Sequence, residues 1–312
     1  MPRCVRYGAD NIKEENFILP ESVLKELQEE ASVMTRMRHP NVVSFMGLSL
    51  MPPLIVTEFC EKGSLYDVLR RARQADKAAE LTWQLRIQMV RQPACTLLGN
   101  WALLIALDAA RGLLYLHRRS PPIIHRDVKS PNLLVEQHWR VKVADFNLSK
   151  ILGAAGDTEG PSNPIWLAPE IALNDAEATA ASDVYSFGMV LYELLTWKLP
   201  WEGYNAFQIM FALGAGQRPE LPPRIALPGP DSLSFAGLDA YCELMRDCWA
   251  EEPGDRPTFD NIVPRLDSLV HRGDIPSSMS SHGKPRGGSQ KMDEADEECG
   301  SPIKRWGTAP IM

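Results

Sequence analysis

The sequence predicts an α+β protein in which a small mixed segment with short strands precedes a larger, mostly helical one. Three observations carry that expectation. Residues 42–47 and 54–59 are two short runs rich in β-branched and aromatic side chains, parted by Met51-Pro52-Pro53, as in an antiparallel pair. Apolar residues recur at helical spacing over 101–117, 183–197, 204–214, 236–249 and 259–271, joined by glycine- and proline-rich connections. No internal repeat runs through the chain, which argues against a solenoid or a propeller.

The elements follow in order. Residues 21–38 read as an amphipathic helix: Pro20 suits its first turn, and Val23, Leu24, Leu27, Ala31, Met34 and Met37 recur on one face. His39-Pro40-Asn41 stops it. From Ser64 on, the pattern is mostly helical. Leu81-Thr82-Trp83 should lead straight into a helix, yet 89–105 intervenes with Pro93 and Gly99, and proline interrupts helices. That stretch reads equally as a solvent loop, an insertion or an artefact of how the gene was read. Residues 273–312 are rich in Ser, Gly, Pro and charge, with few branched apolar side chains. Such a segment buries too little surface to offset its ordering entropy, so a disordered tail is expected.

Charge and cysteine usage narrow the class. The chain has 33 basic and 40 acidic residues, a net charge of -7, which argues against a surface built to wrap nucleic acid. The six cysteines, at 4, 60, 95, 242, 248 and 299, form no CxxC pair; they read as reduced thiols rather than a zinc or redox motif. The start of the chain lacks the apolar run of a signal peptide. The most apolar stretch, 101–116, carries Asp108 and Arg111 and is too short to span a bilayer. A soluble, cytoplasmic protein with no membrane segment in this chain is expected.

The strongest chemical signal is His125-Arg126-Asp127-Val128-Lys129-Ser130-Pro131-Asn132. An Asp and an Asn five positions apart in a short loop suit phosphoryl transfer: the carboxylate orients a hydroxyl and receives its proton, and the neutral amide helps hold Mg²⁺. Lys129 puts a cation where charge develops on the phosphoryl group. Val141-Lys142-Val143-Ala144-Asp145-Phe146-Asn147 follows, a short strand ending in an acidic residue suited to a metal. Ala168-Pro169-Glu170, Ser182 to Gly188, Cys248-Trp249 and Asp255-Arg256-Pro257 come next in that order.

This ordered set resembles the eukaryotic protein kinases over roughly residues 20–270. The resemblance implies a bilobal fold with an incomplete β-rich N-lobe over 1–60 and a helical C-lobe over 61–272. It implies ATP and Mg²⁺ as cofactors and a protein substrate. By position, Asp127 matches the catalytic base, Lys129 a γ-phosphate contact, and Asn132 and Asp145 the metal ligands. Thr57, Glu58 and Cys60 match the gatekeeper and the hinge, whose backbone meets adenine, and Glu30 the helix glutamate that pairs with the ATP-binding lysine. Glu170 with Arg256 matches an ion pair bracing the C-lobe, and Asp183 the residue supporting the catalytic loop. Lys129 in DVKSPN resembles serine/threonine kinases, and Trp166 to Glu170 with Cys248-Trp249 resembles the Raf-like branch of the tyrosine-kinase-like group. Arg126, next to the base, implies control by phosphorylation, with Thr158 and Ser162 as acceptors.

Three departures from the family pattern stand out. The chain begins too late to contain a glycine-rich loop, and Gly8 stands alone. The ATP-positioning lysine is not matched securely either: Lys13 follows Asp10-Asn11-Ile12, which is no strand, and Arg6, after the more strand-like Cys4-Val5, does not replace a lysine conservatively. A truncated gene model explains both absences best. Asn147 replaces a glycine, and Asn tolerates left-handed backbone best after glycine. These departures keep open an alternative, a pseudokinase or scaffolding module, whereas the retained Asp127, Lys129, Asn132 and Asp145 favour an enzyme.

Overall fold

The computed structural model describes residues 2–6, 31–32, 34–50, 53–74, 101–145, 164–228 and 237–272. The chain divides into two units, Met1–Ile275 and Pro276–Met312, and the second lies outside the described residues. In the first unit, β1 (Pro2–Arg6), β2 (Phe45–Leu50) and β3 (Pro53–Glu58) form an antiparallel sheet in the order β1-β3-β2. The expected strand pair is present, but β2 starts later than residue 42. Val42 instead bridges Val143, and the Val43 N–H donates to the Val143 carbonyl at 2.9 Å. Those backbone groups find partners in a different sheet, which is why the β-rich run does not continue as one strand.

The second sheet consists of β4 (Gly63–Ser64), β5 (Leu133–Val135) and β6 (Val141–Val143), again antiparallel. Among the described residues, α1 (Leu65–Arg73) and α2 (Trp101–His117) lie between its first strand and its second in sequence. The other α-helices among the described residues are α3 (Pro169–Asn174), α4 (Ala180–Thr196), α5 (Ala206–Gly214), α6 (Leu238–Cys248) and α7 (Phe259–Arg272). The architecture is therefore α+β as expected. Of the helix expected over 21–38, residues 31–32 and 34–35 are helical, with Ala31, Met34 and Met37 buried. Residues 101–105, the end of the stretch set apart by its proline and glycine, open α2 and bury Leu103 and Ile105.

The long helix α4 organises the core. Thr179 and Ser182 cap it reciprocally, each side chain accepting from the other's backbone N–H. Tyr185, Phe187, Met189 and Leu191 on α4 are fully buried. Phe259 of α7 meets Phe187 and His117 edge-on, at centroid distances of 5.3 and 5.2 Å. On α2, a Cβ at Gly112 would stand 2.4 Å from the Asn41 carbonyl oxygen. Glycine there lets residues 41–43 and β6 press directly against the helix. Asn41 Nδ2 donates to the Val141 carbonyl at 3.0 Å, and the Val141 N–H donates to Asp108 of α2 at 3.1 Å. The β5–β6 hairpin, which the motif residues 125–132 and Asp145 flank, is thus held through both backbone groups of Val141.

Candidate active site

Residues 125–132 link α2 to β5, and Asp183 on the first turn of α4 holds their shape. Its carboxylate is 1% exposed and accepts from the backbone N–H groups of His125 at 2.7 Å and Arg126 at 2.8 Å. It also lies 2.8 Å from His117 Nε2. Two successive N–H groups bound to one carboxylate bend the chain sharply, and Arg126 sits at φ 70. Left-handed backbone costs a non-glycine residue about 1–2 kcal/mol, so the surrounding bonds must over-determine it. The buried His125 ring places Nε2 3.0 Å from the Ala144 carbonyl, tying the loop to the end of β6. Asp183 therefore does what its sequence position implied.

Asp127, Lys129 and Asn132 converge. Asp127 Oδ2 lies 2.7 Å from Lys129 Nζ and accepts from Asn132 Nδ2 at 2.8 Å. Asn132 Nδ2 also donates to the Asp127 carbonyl at 2.9 Å. The spacing works because Ser130–Asn132 is one turn of 3₁₀ helix, started by Pro131, which folds the Asn back over the Asp. Asp127 Oδ1 has no partner among the described residues, and the side chain is 25% exposed. The group is a carboxylate fixed on one oxygen and open on the other.

Asp145 is brought beside this cluster by the bond from the Ala144 N–H to the Asn132 carbonyl, 2.9 Å. Its own backbone is left-handed at φ 57. With Nδ2 of Asn132 already committed, its Oδ1 and the Asp145 carboxylate are hard oxygen donors on adjacent chain segments. Among the described residues no group of three or more His, Cys, Asp or Glu side chains could hold a metal by itself. An Asn/Asp pair instead suits Mg²⁺, which keeps few protein ligands and fills its octahedron with phosphate oxygens and water. Phe146 and Asn147 lie outside the described residues, as do Glu30, Lys13, Thr158 and Ser162.

The expected hinge residues lie at and after the end of β3. Thr57 is buried and paired with Arg3 on β1 and Phe45 on β2. Burial, with the nearby Glu58 charge, pushes the Cys60 thiol up to about 12, so it is an inert side chain rather than a nucleophile. The Gly63 N–H donates to the Cys60 carbonyl at 3.2 Å, closing a turn. Arg6 ends β1 opposite Leu54, so the strand reading of Cys4-Val5-Arg6 holds, whereas residues 10–13 lie outside the described residues.

Two polar networks were not legible from motifs. In the first, Lys142 Nζ sits 2.9 Å from Glu58 Oε1 and 3.0 Å from Glu136 Oε1. Burial alone would lower the Lys142 pKa, but bonds to these two carboxylates hold it above the usual lysine value. Glu58 is pushed up by burial and pulled further down by the bonds from Lys142 and the Ser44 N–H. The lysine thus fastens the start of the hinge to the β5–β6 hairpin. In the second, Glu193 Oε1 accepts from Ser130 Oγ at 2.6 Å and Oε2 from Trp166 Nε1 at 2.7 Å. Complete burial raises its pKa to about 8. A lone carboxylate inside the apolar run of α4 was the available signal, because an unpaired Glu is almost never fully buried.

The expected brace is present: Arg256 donates from Nη1 and Nη2 to the two carboxylate oxygens of Glu170, at 2.7 and 2.9 Å. It fastens α3 to the turn before α7.

A mixed-strand segment, a helical body and a phosphoryl-transfer loop braced by Asp183 define a protein-kinase domain. The family model of protein tyrosine and serine/threonine kinases matches residues 12–266, and the chain belongs to that family. It is 39% identical over 256 residues to the probable serine/threonine-protein kinase drkA of Dictyostelium discoideum, covering 81% of this chain and 35% of that protein. It is 36% identical over 266 residues to the serine/threonine-protein kinase CTR1 of Arabidopsis thaliana, covering 82% of this chain and 28% of that protein. The probable serine/threonine-protein kinase drkB of Dictyostelium discoideum is 37% identical over 261 residues, 82% of this chain and 33% of its own length. The chain thus spans about a third of the length of these relatives. Among the described residues no helix is long and apolar enough to cross a membrane.

Proposed function

We propose that the chain is a serine/threonine protein kinase that transfers the γ-phosphoryl group of ATP to a protein hydroxyl. The observation that carries this is Asp127, whose Oδ2 is shared by Lys129 Nζ and Asn132 Nδ2 at 2.7 and 2.8 Å while Oδ1 stays open. Oδ1 takes a hydrogen bond from the attacking hydroxyl, orients it and receives its proton. Lys129, anchored beside the base, presents positive charge to the transferred phosphoryl oxygens. Asn132 and Asp145 supply the oxygen donors for Mg²⁺, which when bound neutralises phosphate charge. Thr57, Glu58 and Cys60 form the adenine side through their backbone, with Lys142 holding Glu58 in place. Glu30 is assigned to the nucleotide side by its sequence match to the helix glutamate that pairs with the ATP-binding lysine. Residues 1–60 form the nucleotide lobe, 61–272 the substrate lobe and 273–312 a tail, in a cytoplasmic protein whose buried thiols Cys60 and Cys248 stay reduced.

The names of the relatives and the Lys129 of the catalytic loop support serine and threonine over tyrosine as acceptors. No observation favours a non-catalytic scaffold. The test is transfer of labelled phosphate from Mg·ATP to a panel of Ser-, Thr- and Tyr-containing peptides, with Asp127→Asn as control. Phosphoserine and phosphothreonine lost in the control support the reading. Transfer to tyrosine alone, or transfer that survives in the control, refutes it.

A further inference from the structure

A cavity opens beside Glu193, between α1 and the end of α4. Its volume is about 180 Å³, below the roughly 300–1,000 Å³ of small-molecule sites, so it fits one side chain. The walls include Tyr66 and Leu69 of α1 and the buried Trp197. Three cations, Arg70, Arg73 and Lys198, surround it with two carboxylates, Glu193 and Glu202.

The charges do not cancel. Arg73 is paired with Glu202 through both guanidinium nitrogens, one bond measuring 3.0 Å. Glu193 is fully enclosed, with both oxygens taken by Ser130 and Trp166. Burial raises its pKa to about 8, so near neutral pH it is mostly uncharged. Arg70 and Lys198 are exposed, and their charged groups have no hydrogen-bonded or ion-pair partner among the described residues; the Lys198 ammonium meets Glu202 only through its long-range field. The cavity therefore offers two uncommitted cations over an aromatic and aliphatic floor. Glu193 is its link to the chemistry, since the same carboxylate that lines it holds Ser130, the residue after Lys129.

We propose that this cavity is a subsite for an anionic side chain, an aspartate or glutamate carried by the protein substrate, gripped by Arg70 and Lys198. The inference rests on the kinase reading above for the identity of its occupant. A carboxylate would take charge-assisted bonds from Arg70 and Lys198 while its methylenes lie on Tyr66 and Trp197. A lysine or arginine there would meet two like charges, so the site selects against basic substrates as well as for acidic ones.

The test uses the full 312-residue chain and fluorescent peptides holding one serine in a neutral background. Glutamate, phosphoserine or lysine is placed in turn at each flanking position. Both anisotropy and phosphate transfer are read. The expected result is about tenfold tighter binding and lower KM for one register of the glutamate peptide, weakening with salt. The double variant Arg70→Glu, Lys198→Glu should abolish or reverse that preference, with kcat on the neutral peptide unchanged and Arg70→Lys restoring most of it. Tighter binding of the phosphoserine peptide would also support the site and assign it to a primed substrate. Equal binding of neutral and acidic peptides, or a lysine preference, overturns the inference. If anisotropy shows the anion preference but no peptide is phosphorylated, the kinase reading fails and the subsite stands. Transfer without the preference gives the converse.

Discussion

Arg256 offers the sharpest test of how the helical body is held. Its side chain is fully buried, and each of its five N–H groups has an acceptor. Nε donates to the Ala250 carbonyl at 2.9 Å, Nη1 to Glu170 and the Ala181 carbonyl at 2.7 and 3.1 Å, and Nη2 to Glu170 and the Glu251 carbonyl at 2.9 and 3.0 Å. A guanidinium has five donors and here spends all of them. Arg256→Ala strands a mostly buried Glu170 carboxylate and three carbonyls, and breaking a buried pair this way costs about 3–5 kcal/mol. A lysine keeps the charge but offers three donors, so at least two acceptors lose their bonds, at about 2 kcal/mol in all. Denaturant melts followed by circular dichroism should show that order, and in thermal melts Arg256→Ala should unfold roughly 10 °C below the parent. If Arg256→Lys is as stable as the parent, charge alone accounts for the brace and the hydrogen-bond argument is wrong. If Arg256→Ala loses less than about 1 kcal/mol, the pair behaves as a surface salt bridge.

Other perturbations test other links. Asp127→Asn should lower phosphate transfer by about 10²–10⁴-fold with an unchanged melting temperature, as measured by initial rates and thermal shift. Glu193 holds its proton in the folded state up to about pH 8, whereas its ordinary value is 4.5. Between those values the folded state binds the extra proton, so stability falls as pH rises from 5 to 8, by up to about 1.4 kcal/mol per unit. Glu193→Gln can still accept from Trp166 and donate to Ser130, and it should flatten that slope in melts from pH 5 to 8; an unchanged slope would falsify the assignment. Gly112→Ala should destabilise by about 1–3 kcal/mol although alanine favours helix, because its Cβ would meet the Asn41 carbonyl oxygen at 2.4 Å. Lys142→Met, which leaves Glu58 and Glu136 unpaired, should raise KM for ATP more than it changes kcat, as read in steady-state kinetics.

Much of this protein was legible before any coordinates. Helical periodicity located α2, α4, α5, α6 and α7 to within a few residues, because each buries one long apolar face and a repeat of 3.6 residues records that directly. The convergence of Asp127 and Asn132 was readable too, since a five-residue spacing across one 3₁₀ turn is a local fact. The start of β2 was not. Residues 42–43 have strand-like side chains, but strand pairing is a choice between distant partners, and the partner chosen was Val143.

Tertiary structure alone decided the rest. The left-handed backbone of Arg126 depends on bonds to Asp183, and that of Asp145 follows the tie of its neighbour Ala144 to Asn132, partners that lie elsewhere in the chain. Lys142 was in sequence only a member of a short strand, and the approach of Glu58 and Glu136 made it a clasp. Glu193 was one acid in an apolar helix until burial raised its pKa and Ser130 and Trp166 took its oxygens. The sequence by itself determined the family, the order of elements and the identity of the reactive groups, because motif spacing and periodicity are local. Which charges are neutralised, and which, like Arg70 and Lys198, are left to meet a substrate, only the folded chain decides, because a charge is priced by its nearest neighbours and its access to water.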